Sequence, residues 1–161
     1  MSAGDFKFDV EPPTSIDVTE LLLERDRYFD RLYAEEDRNA RSVNFEEQAL
    51  VFIGIRNGDE LVGCGALVVR PGYGELKRFY LRAEFRGQGL GRRLVHAIEA
   101  EAQLRGCPKL MLETGVLQPD AIALYRGQGF EERGPFGEYA EDPLSVFMEK
   151  AVTPDLNVPT G

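Results

Sequence analysis

The chain has 161 residues, a length typical of one domain, and 43% of them are hydrophobic, which excludes a chain that is disordered throughout. Asp and Glu outnumber Lys and Arg by 28 to 19, so the formal net charge is -9. A surface of this sign repels phosphate backbones and anionic lipids, and we expect neither a nucleic-acid partner nor membrane binding.

The first third of the chain predicts one strand and one helix. Residues Phe6 to Val10 alternate apolar and polar side chains before a pair of prolines, which indicates a short strand. A helix is then predicted to about Tyr33, capped by Thr14 or Ser15. Its positions at helical spacing are Ile16, Leu21, Leu22, Arg25 and Phe29. Residues 34–48 are charged and aperiodic, and predict a loop or short helical turn that could lie over a binding site.

The rest of the chain alternates strand and helix patterns. Strands are predicted at 49–56, 61–69, 74–81, 109–113, 130–133 and 144–152, and helices at 90–105 and 121–126. This order implies one α/β domain over residues 1–152, with a mixed, mostly antiparallel central sheet and helices on both faces. Residues 153–161 have two prolines and no apolar pattern, and predict a frayed tail.

The cysteine spacing and the lack of a signal-peptide pattern in the sequence predict the cellular compartment of the protein. Cys64 and Cys107 show no CxxC or Cys/His spacing, so we expect two buried free thiols, no disulfide and no metal site. No segment resembles a signal peptide or a membrane span, and we expect a cytoplasmic protein. If the last strand lies at a sheet edge, it could pair with a second copy to form a homodimer.

The most informative segment is a glycine-rich turn between a predicted strand and a predicted helix, Arg86-Gly87-Gln88-Gly89-Leu90-Gly91. Alternate glycines let the backbone aim several N–H groups at one point, with the helix dipole behind them, so the turn predicts an anion site to which Arg86 and Arg92 add positive charge. The spacing fits neither a P-loop nor a dinucleotide fingerprint, which would need glycine at position 92. The alternative is a turn whose glycines are purely structural.

Residues 75–91 and 121–130 resemble two motifs of the GNAT superfamily of acyl-CoA-dependent N-acetyltransferases. Arg86, Gly89 and Gly91 match the family's Arg/Gln-x-x-Gly-x-Gly/Ala element, and the second segment resembles the later helix that ends in Leu-Tyr and then Gly-Phe. The resemblance spans about residues 49–150 and implies a single GNAT-like domain that uses acetyl-CoA as co-substrate.

The resemblance also implies which residues contact the coenzyme. The turn would bind the pyrophosphate, the strand before it would offer backbone groups to the pantetheine arm, and Gln118 stands where many members carry an asparagine. The residues implied are Phe79, Leu81, Arg86, Gly87, Gln88, Gly89, Leu90, Gly91, Arg92 and Gln118.

Two catalytic roles follow from the same resemblance. Glu75 stands where related histone acetyltransferases carry their catalytic base, and Tyr125 stands where the family places a general acid near the thioester sulfur. Glu113 is a second candidate carboxylate for the base, and either glutamate could instead be an ordinary solvated or paired side chain.

The function implied is transfer of an acetyl group from acetyl-CoA to a primary amine of a small molecule or peptide, by direct attack in a ternary complex. Two alternatives stay open: an acyl-CoA-binding sensor without turnover, and an interaction module with structural glycines. Cues for the acceptor conflict, because the acidic surface favours a cationic amine whereas Lys77 and Arg78 favour one that carries a carboxylate.

Overall fold

The computed structural model describes residues 5–33 and 50–153, which form a seven-stranded sheet with three α-helices. The strands run in the order β1-β2-β3-β4-β5-β7-β6, and every neighbouring pair is antiparallel except β4 and β5. The strands are β1 (Phe6–Val10), β2 (Leu50–Asn57), β3 (Glu60–Arg70), β4 (Tyr73–Leu81), β5 (Lys109–Gly115), β6 (Glu131–Arg133) and β7 (Ser145–Ala151). The helices are α1 (Ile16–Leu32), α2 (Leu90–Leu104) and α3 (Pro119–Gly127).

The predicted elements are confirmed, and their ends shift by one to two residues. Strong punctuation explains this agreement: Ser15 caps α1 by accepting the Val18 N–H, and Pro119 opens α3. Of the positions at helical spacing in α1, Ile16 lies 75% exposed in the first turn, whereas Leu21, Leu22 and Phe29 are buried. The loop predicted at 34–48 lies outside the described residues.

Two predictions concern the chain's C-terminal part, and the structure corrects the first. The last strand is not a sheet edge, because β7 lies between β5 and the three-residue β6. The surface predicted for pairing with a second copy is therefore partly covered within the chain. The tail predicted at residues 153–161 lies outside the described residues except for Thr153, whose carbonyl accepts a hydrogen bond of 2.8 Å from Gln103 Nε2.

Hydrophobic clusters on both faces of the sheet hold the helices in place. The amphipathic stripe of α2 is completely buried against β2 to β5, as its spacing predicts. The opposite face receives α1, whose Leu21 and Leu22 pack on Phe52 and Tyr80. Both cysteines are buried and free, as expected. No helix within 5–33 or 50–153 is long and apolar enough to cross a membrane.

Strands β4 and β5 separate after a short parallel pairing. Their register covers only Gly74 to Leu76 against Leu110 to Leu112, although both strands continue beyond it. A bulge in β4 contributes to the separation: the pairing with β3 shifts between Cys64 and Ala66, and Arg78 has a φ of 54°. The space between the diverging strands, here called the β4–β5 gap, leaves backbone groups of β4 without a ladder partner.

Candidate active site

The glycine-rich turn has the geometry that an anion requires. Gly87 and Gly89 have φ values of 83° and 84°, and a Cβ built on either would meet nothing within 4 Å. Gly89 is the N-cap of α2, no side chain within residues 5–33 or 50–153 caps the helix, and its first turn has no acidic residue. The N–H groups at the start of α2 therefore face open space with the positive end of the helix dipole behind them.

The side chains of the other predicted turn residues differ in solvent exposure and in contacts. Gln88 and Arg92 are exposed, whereas the Leu90 side chain is fully buried and only its backbone can face a ligand. The Arg86 side chain extends toward α1: its Nε donates to the Leu81 carbonyl at 2.8 Å and its guanidinium lies 5.2 Å from the ring centroid of Tyr28. Gly91 allows close helix packing, since a Cβ there would lie 3.0 Å from Leu124 Cδ2.

Backbone groups of Phe79 and Leu81 face the β4–β5 gap. The Arg82 N–H donates to the Val62 carbonyl in β3. Backbone groups alternate in direction along a strand, so those of Leu81 and Phe79 point to the side of β4 away from β3. Arg25 Nε donates to the Phe79 carbonyl at 3.4 Å, and Arg86 already occupies the Leu81 carbonyl. Hydrogen bonds from this strand to a ligand would then come from N–H groups.

Tyr125 contributes a buried hydroxyl beside the same gap. Its ring packs edge-on against Phe79 and Phe130, with centroids 5.7 and 5.8 Å away, and the residue is 4% exposed. Within residues 5–33 and 50–153, no protein atom hydrogen-bonds the hydroxyl. Burial raises the pKa of Tyr125 far above its usual value, so the hydroxyl keeps its proton at neutral pH.

Both oxygens of Glu75 are occupied by partners in the protein. Arg70 Nε donates to Oε1 at 3.0 Å, the Tyr139 hydroxyl donates to Oε2 at 2.7 Å, and the glutamate is 2% exposed. Tyr139 belongs to an aromatic cluster with Phe136 and Phe147 on this face of the sheet. Glu75 thus connects β4 to the segment between β6 and β7.

Glu113, on β5, has a different environment. It lies two residues after Met111, the register partner of Glu75, so both glutamates occupy the same face of the sheet. Ser145 Oγ donates to its Oε2 at 2.7 Å, and the residue is half-buried. Burial raises the pKa of Glu113, partly offset by the hydrogen bond from Ser145 and by the charge of Arg25.

Comparisons with known proteins agree with this geometry. The sequence profile of the Acetyltransferase (GNAT) family matches residues 16–130. The chain belongs to the GNAT family. An IAA acetyltransferase from Azospirillum brasilense is 45% identical over 143 residues, which cover 87% of this chain and 94% of that protein.

Solved structures of GNAT proteins share the fold. A Klebsiella pneumoniae protein described as an acyl-CoA N-acyltransferase has a TM-score of 0.81 and 38% identity, over 92% of this chain and 98% of that one. A PaiA N-acetyltransferase from Thermoplasma acidophilum, solved with coenzyme A, has a TM-score of 0.71 and 20% identity, over 94% of this chain and 99% of that one. At that identity the second likeness supports the fold alone.

The residues of this GNAT chain fit a coenzyme A molecule. The open glycine turn can receive the pyrophosphate, and the β4–β5 gap can receive an extended arm that ends near the Tyr125 hydroxyl. Gln118 lies at the N-cap of α3, where its Nε2 lies next to Gly115 at the end of β5. Within the described ranges, no group of three or more His, Cys, Asp or Glu could hold a metal ion.

Sequence analysis did not identify three residues of this site: Arg25, Tyr139 and Ser145. Arg25 had a detectable signal, because it is a charged residue on the apolar stripe predicted for α1. Tyr139 and Ser145 follow no periodic pattern, and their partners are 64 and 32 residues away in the sequence. Only the tertiary fold brings them to Glu75 and Glu113.

Proposed function

We propose that this GNAT protein transfers an acetyl group from acetyl-CoA to a primary amine by direct attack in a ternary complex. Four features support the proposal: a glycine turn that no described side chain caps, a gap between diverging strands, a buried tyrosine hydroxyl without a hydrogen-bond partner among the described residues, and a half-buried carboxylate. The 45% identity to an IAA acetyltransferase over nearly its full length supports acetyl transfer.

Tyr125 acts as the general acid in this proposal. Bound acetyl-CoA supplies a thioester, whose carbonyl carbon forms a bond to the amine nitrogen while its carbon–sulfur bond breaks. The Tyr125 hydroxyl has no partner among the described residues and keeps its proton at neutral pH, so it can protonate the departing sulfur. Water then returns the proton to the tyrosine.

Glu113 is favoured as the base that takes the proton from the amine. A base must accept a proton in hydrogen-bond reach of the substrate, and both oxygens of Glu75 already accept bonds from Arg70 and Tyr139. Glu113 has one oxygen bonded to Ser145, is more exposed than Glu75, and has a pKa raised by burial, which strengthens it as a base. Glu75 stays a prediction for the same role, and its contacts suit a positioning role.

Thiol release from acetyl-CoA, measured with a panel of amines and with IAA, tests the proposal. We expect release with at least one primary amine. Coenzyme A binding by calorimetry without release for any acceptor would favour the sensor alternative, and no binding at all would favour the interaction module.

Three variants then test the assignment of acid and base. Glu113→Gln is expected to lower kcat/KM by about 100-fold and to remove the acidic limb of the pH–rate profile, since a buried carboxylate with a raised pKa is protonated as the pH falls. Tyr125→Phe is expected to lower kcat by about 100-fold with little change in coenzyme affinity. Loss of the acidic limb in Glu75→Gln, but not in Glu113→Gln, would make Glu75 the base.

We further propose a cytoplasmic protein that acts without nucleic acid, in keeping with the net charge of -9. Its acceptor is a small molecule or a peptide.

A further inference from the structure

Arg25 projects from α1 toward the β4–β5 gap. Its Nε donates to the Phe79 carbonyl at 3.4 Å, and its guanidinium lies 4.6 Å from the ring centroid of Phe29. The Phe79 ring in turn contacts Tyr125. The charges of Arg25 and of Tyr125, which we assign as the acid, act on each other, and 24% of the Arg25 side chain is exposed.

Arg25 lacks the close carboxylate that comparable arginines of this protein have. Carboxylate oxygens lie 2.7 Å from Arg56, 3.0 Å from Arg70 and 2.9 Å from Arg82. Within residues 5–33 and 50–153, the carboxylate oxygen nearest to Arg25 is Oδ1 of Asp26. It lies 3.9 Å from the terminal nitrogen Nη1, which exceeds hydrogen-bond distance. Burial lowers the pKa of Arg25, because desolvation disfavours the charged form.

The geometry of the guanidinium indicates what would compensate the charge. Because Nε bonds to the Phe79 carbonyl, the two terminal nitrogens form a planar fork with no hydrogen-bond acceptor among the described residues. Such a fork matches the two oxygens of a carboxylate. Phe29, Phe79 and Tyr125 give its surroundings an aromatic character.

A negative group lies within electrostatic reach of Arg25 on the same side of the gap. The charge of Arg25 lowers the pKa of Glu113, while the charges of Asp142 and Glu75 raise it. A molecule that carries an amine and a carboxylate could therefore place its amine toward Glu113 and its carboxylate toward Arg25. A simple cationic amine would leave the Arg25 fork unpaired.

We propose that the acceptor is an amino acid, whose carboxylate binds the terminal nitrogens of Arg25 while its amine faces Glu113. This inference rests on the proposed function and names the substrate class. Arg25 is a specificity-determining residue: it binds the acceptor and takes no part in proton transfer.

The test compares amino acids with their decarboxylated amines: phenylalanine with phenethylamine, tryptophan with tryptamine, and leucine with isoamylamine. The measured quantity is the ratio of kcat/KM for each amino acid to that for its amine, from thiol release. We expect a ratio well above one in the native protein, and a ratio lowered by about 10-fold to 100-fold in Arg25→Met, since a hydrogen bond to a charged group contributes about 1.5 to 3 kcal/mol. Arg25→Lys keeps the charge without the fork and is expected to give an intermediate ratio.

Arg27→Met is the matched control, because Arg27 is an exposed arginine on the same helix. Its ratio is expected to equal that of the native protein. Calorimetry of N-acetylphenylalanine against N-acetylphenethylamine on the coenzyme A complex gives a second readout that needs no turnover.

The possible results distinguish a failure of this inference from a failure of the proposed function. Transfer to the decarboxylated amines but to none of the amino acids would leave acetyl transfer standing and overturn the role of Arg25. Equal ratios in Arg25→Met and Arg27→Met would also overturn it. If none of the acceptors gives thiol release, the proposed function itself is overturned, and this inference with it.

Discussion

Glu75 and Glu113 are the same residue type at neighbouring positions, but their hydrogen-bond partners and burial differ. Both lie on the same face of the sheet, on adjacent strands. Glu75 is fixed by an arginine and a tyrosine, so its charge is compensated inside the protein. Among the described residues, Glu113 accepts a hydrogen bond only from the Ser145 hydroxyl, and burial raises its pKa. A carboxylate whose charge is destabilised accepts protons more readily, so burial strengthens Glu113 as a base.

The raised pKa of Glu113 predicts a stability cost at neutral pH. The folded state binds this proton more tightly than the unfolded chain, so stability is highest below the unfolded pKa and falls as the pH rises through the folded pKa. Glu113→Gln cannot ionise and can still accept from Ser145. We expect a higher free energy of unfolding than the native value at pH 7 and nearly equal values at pH 4. Urea unfolding at both pH values measures this, and a lower stability of the variant at pH 7 would contradict it.

The sequence predicts the backbone conformation of some site residues but not the side-chain partners of others, and the reason is physical. Positions in the glycine turn could be predicted because backbone N–H groups and φ angles depend on local sequence, and Gly87 and Gly89 have the positive φ values expected of them. Arg25 was visible only as a charge on an apolar stripe. The partners of Glu75 could not be predicted, because Tyr139 comes from a segment 64 residues away that carries no periodic pattern.

Among the elements, α2 links the glycine-rich turn to the core. Its buried stripe of Leu90, Leu94, Ile98 and Ala102 fixes the helix against the sheet, so its N-terminal N–H groups are held in place before any ligand binds. The separation of β4 and β5 could not be predicted from the strand patterns, since it depends on a bulge at Arg78 rather than on hydrophobic alternation. Both features place the turn at the opening of the gap.

Two glycines at opposite ends of α2 provide a matched pair for testing the turn. Gly89 and Gly106 have φ values of 84° and 73°, and a Cβ on either meets nothing within 4 Å. Alanine at each position should lower the free energy of unfolding by about 1 kcal/mol, because L residues disfavour this conformation. Only Gly89→Ala places a methyl group in the predicted pyrophosphate site, and we expect it to weaken coenzyme A binding by about 10-fold.

Calorimetry with coenzyme A on both variants checks this prediction. Gly106→Ala should bind with native affinity despite its lower stability. Equal affinities for the two variants would mean that the pyrophosphate does not contact the turn.

At the scale of the whole molecule, one core connects every strand that forms the site. A single cluster of buried residues extends from Phe6 in β1 to Val152 after β7 and includes Tyr125 and the stripe of α2. Among the described residues, this cluster is continuous between the sheet and the helix that follows the glycine turn. We therefore expect residues 5–33 and 50–152 to unfold as one cooperative unit.

The C-terminal boundary of this unit gives the last prediction. Val152 is 4% exposed and its N–H bonds to the Pro108 carbonyl at 2.9 Å, while the Thr153 carbonyl accepts from Gln103. A chain that ends at residue 151 loses the burial of one valine and two hydrogen bonds that a chain ending at 153 keeps. We expect the shorter chain to be less stable by about 3 kcal/mol, from about 1.5 to 2 kcal/mol for the valine and under 1 kcal/mol for each hydrogen bond. Urea unfolding of the two chains measures the difference, with the slopes compared to verify two-state behaviour. Equal stabilities would place the true boundary of the folded unit before Val152.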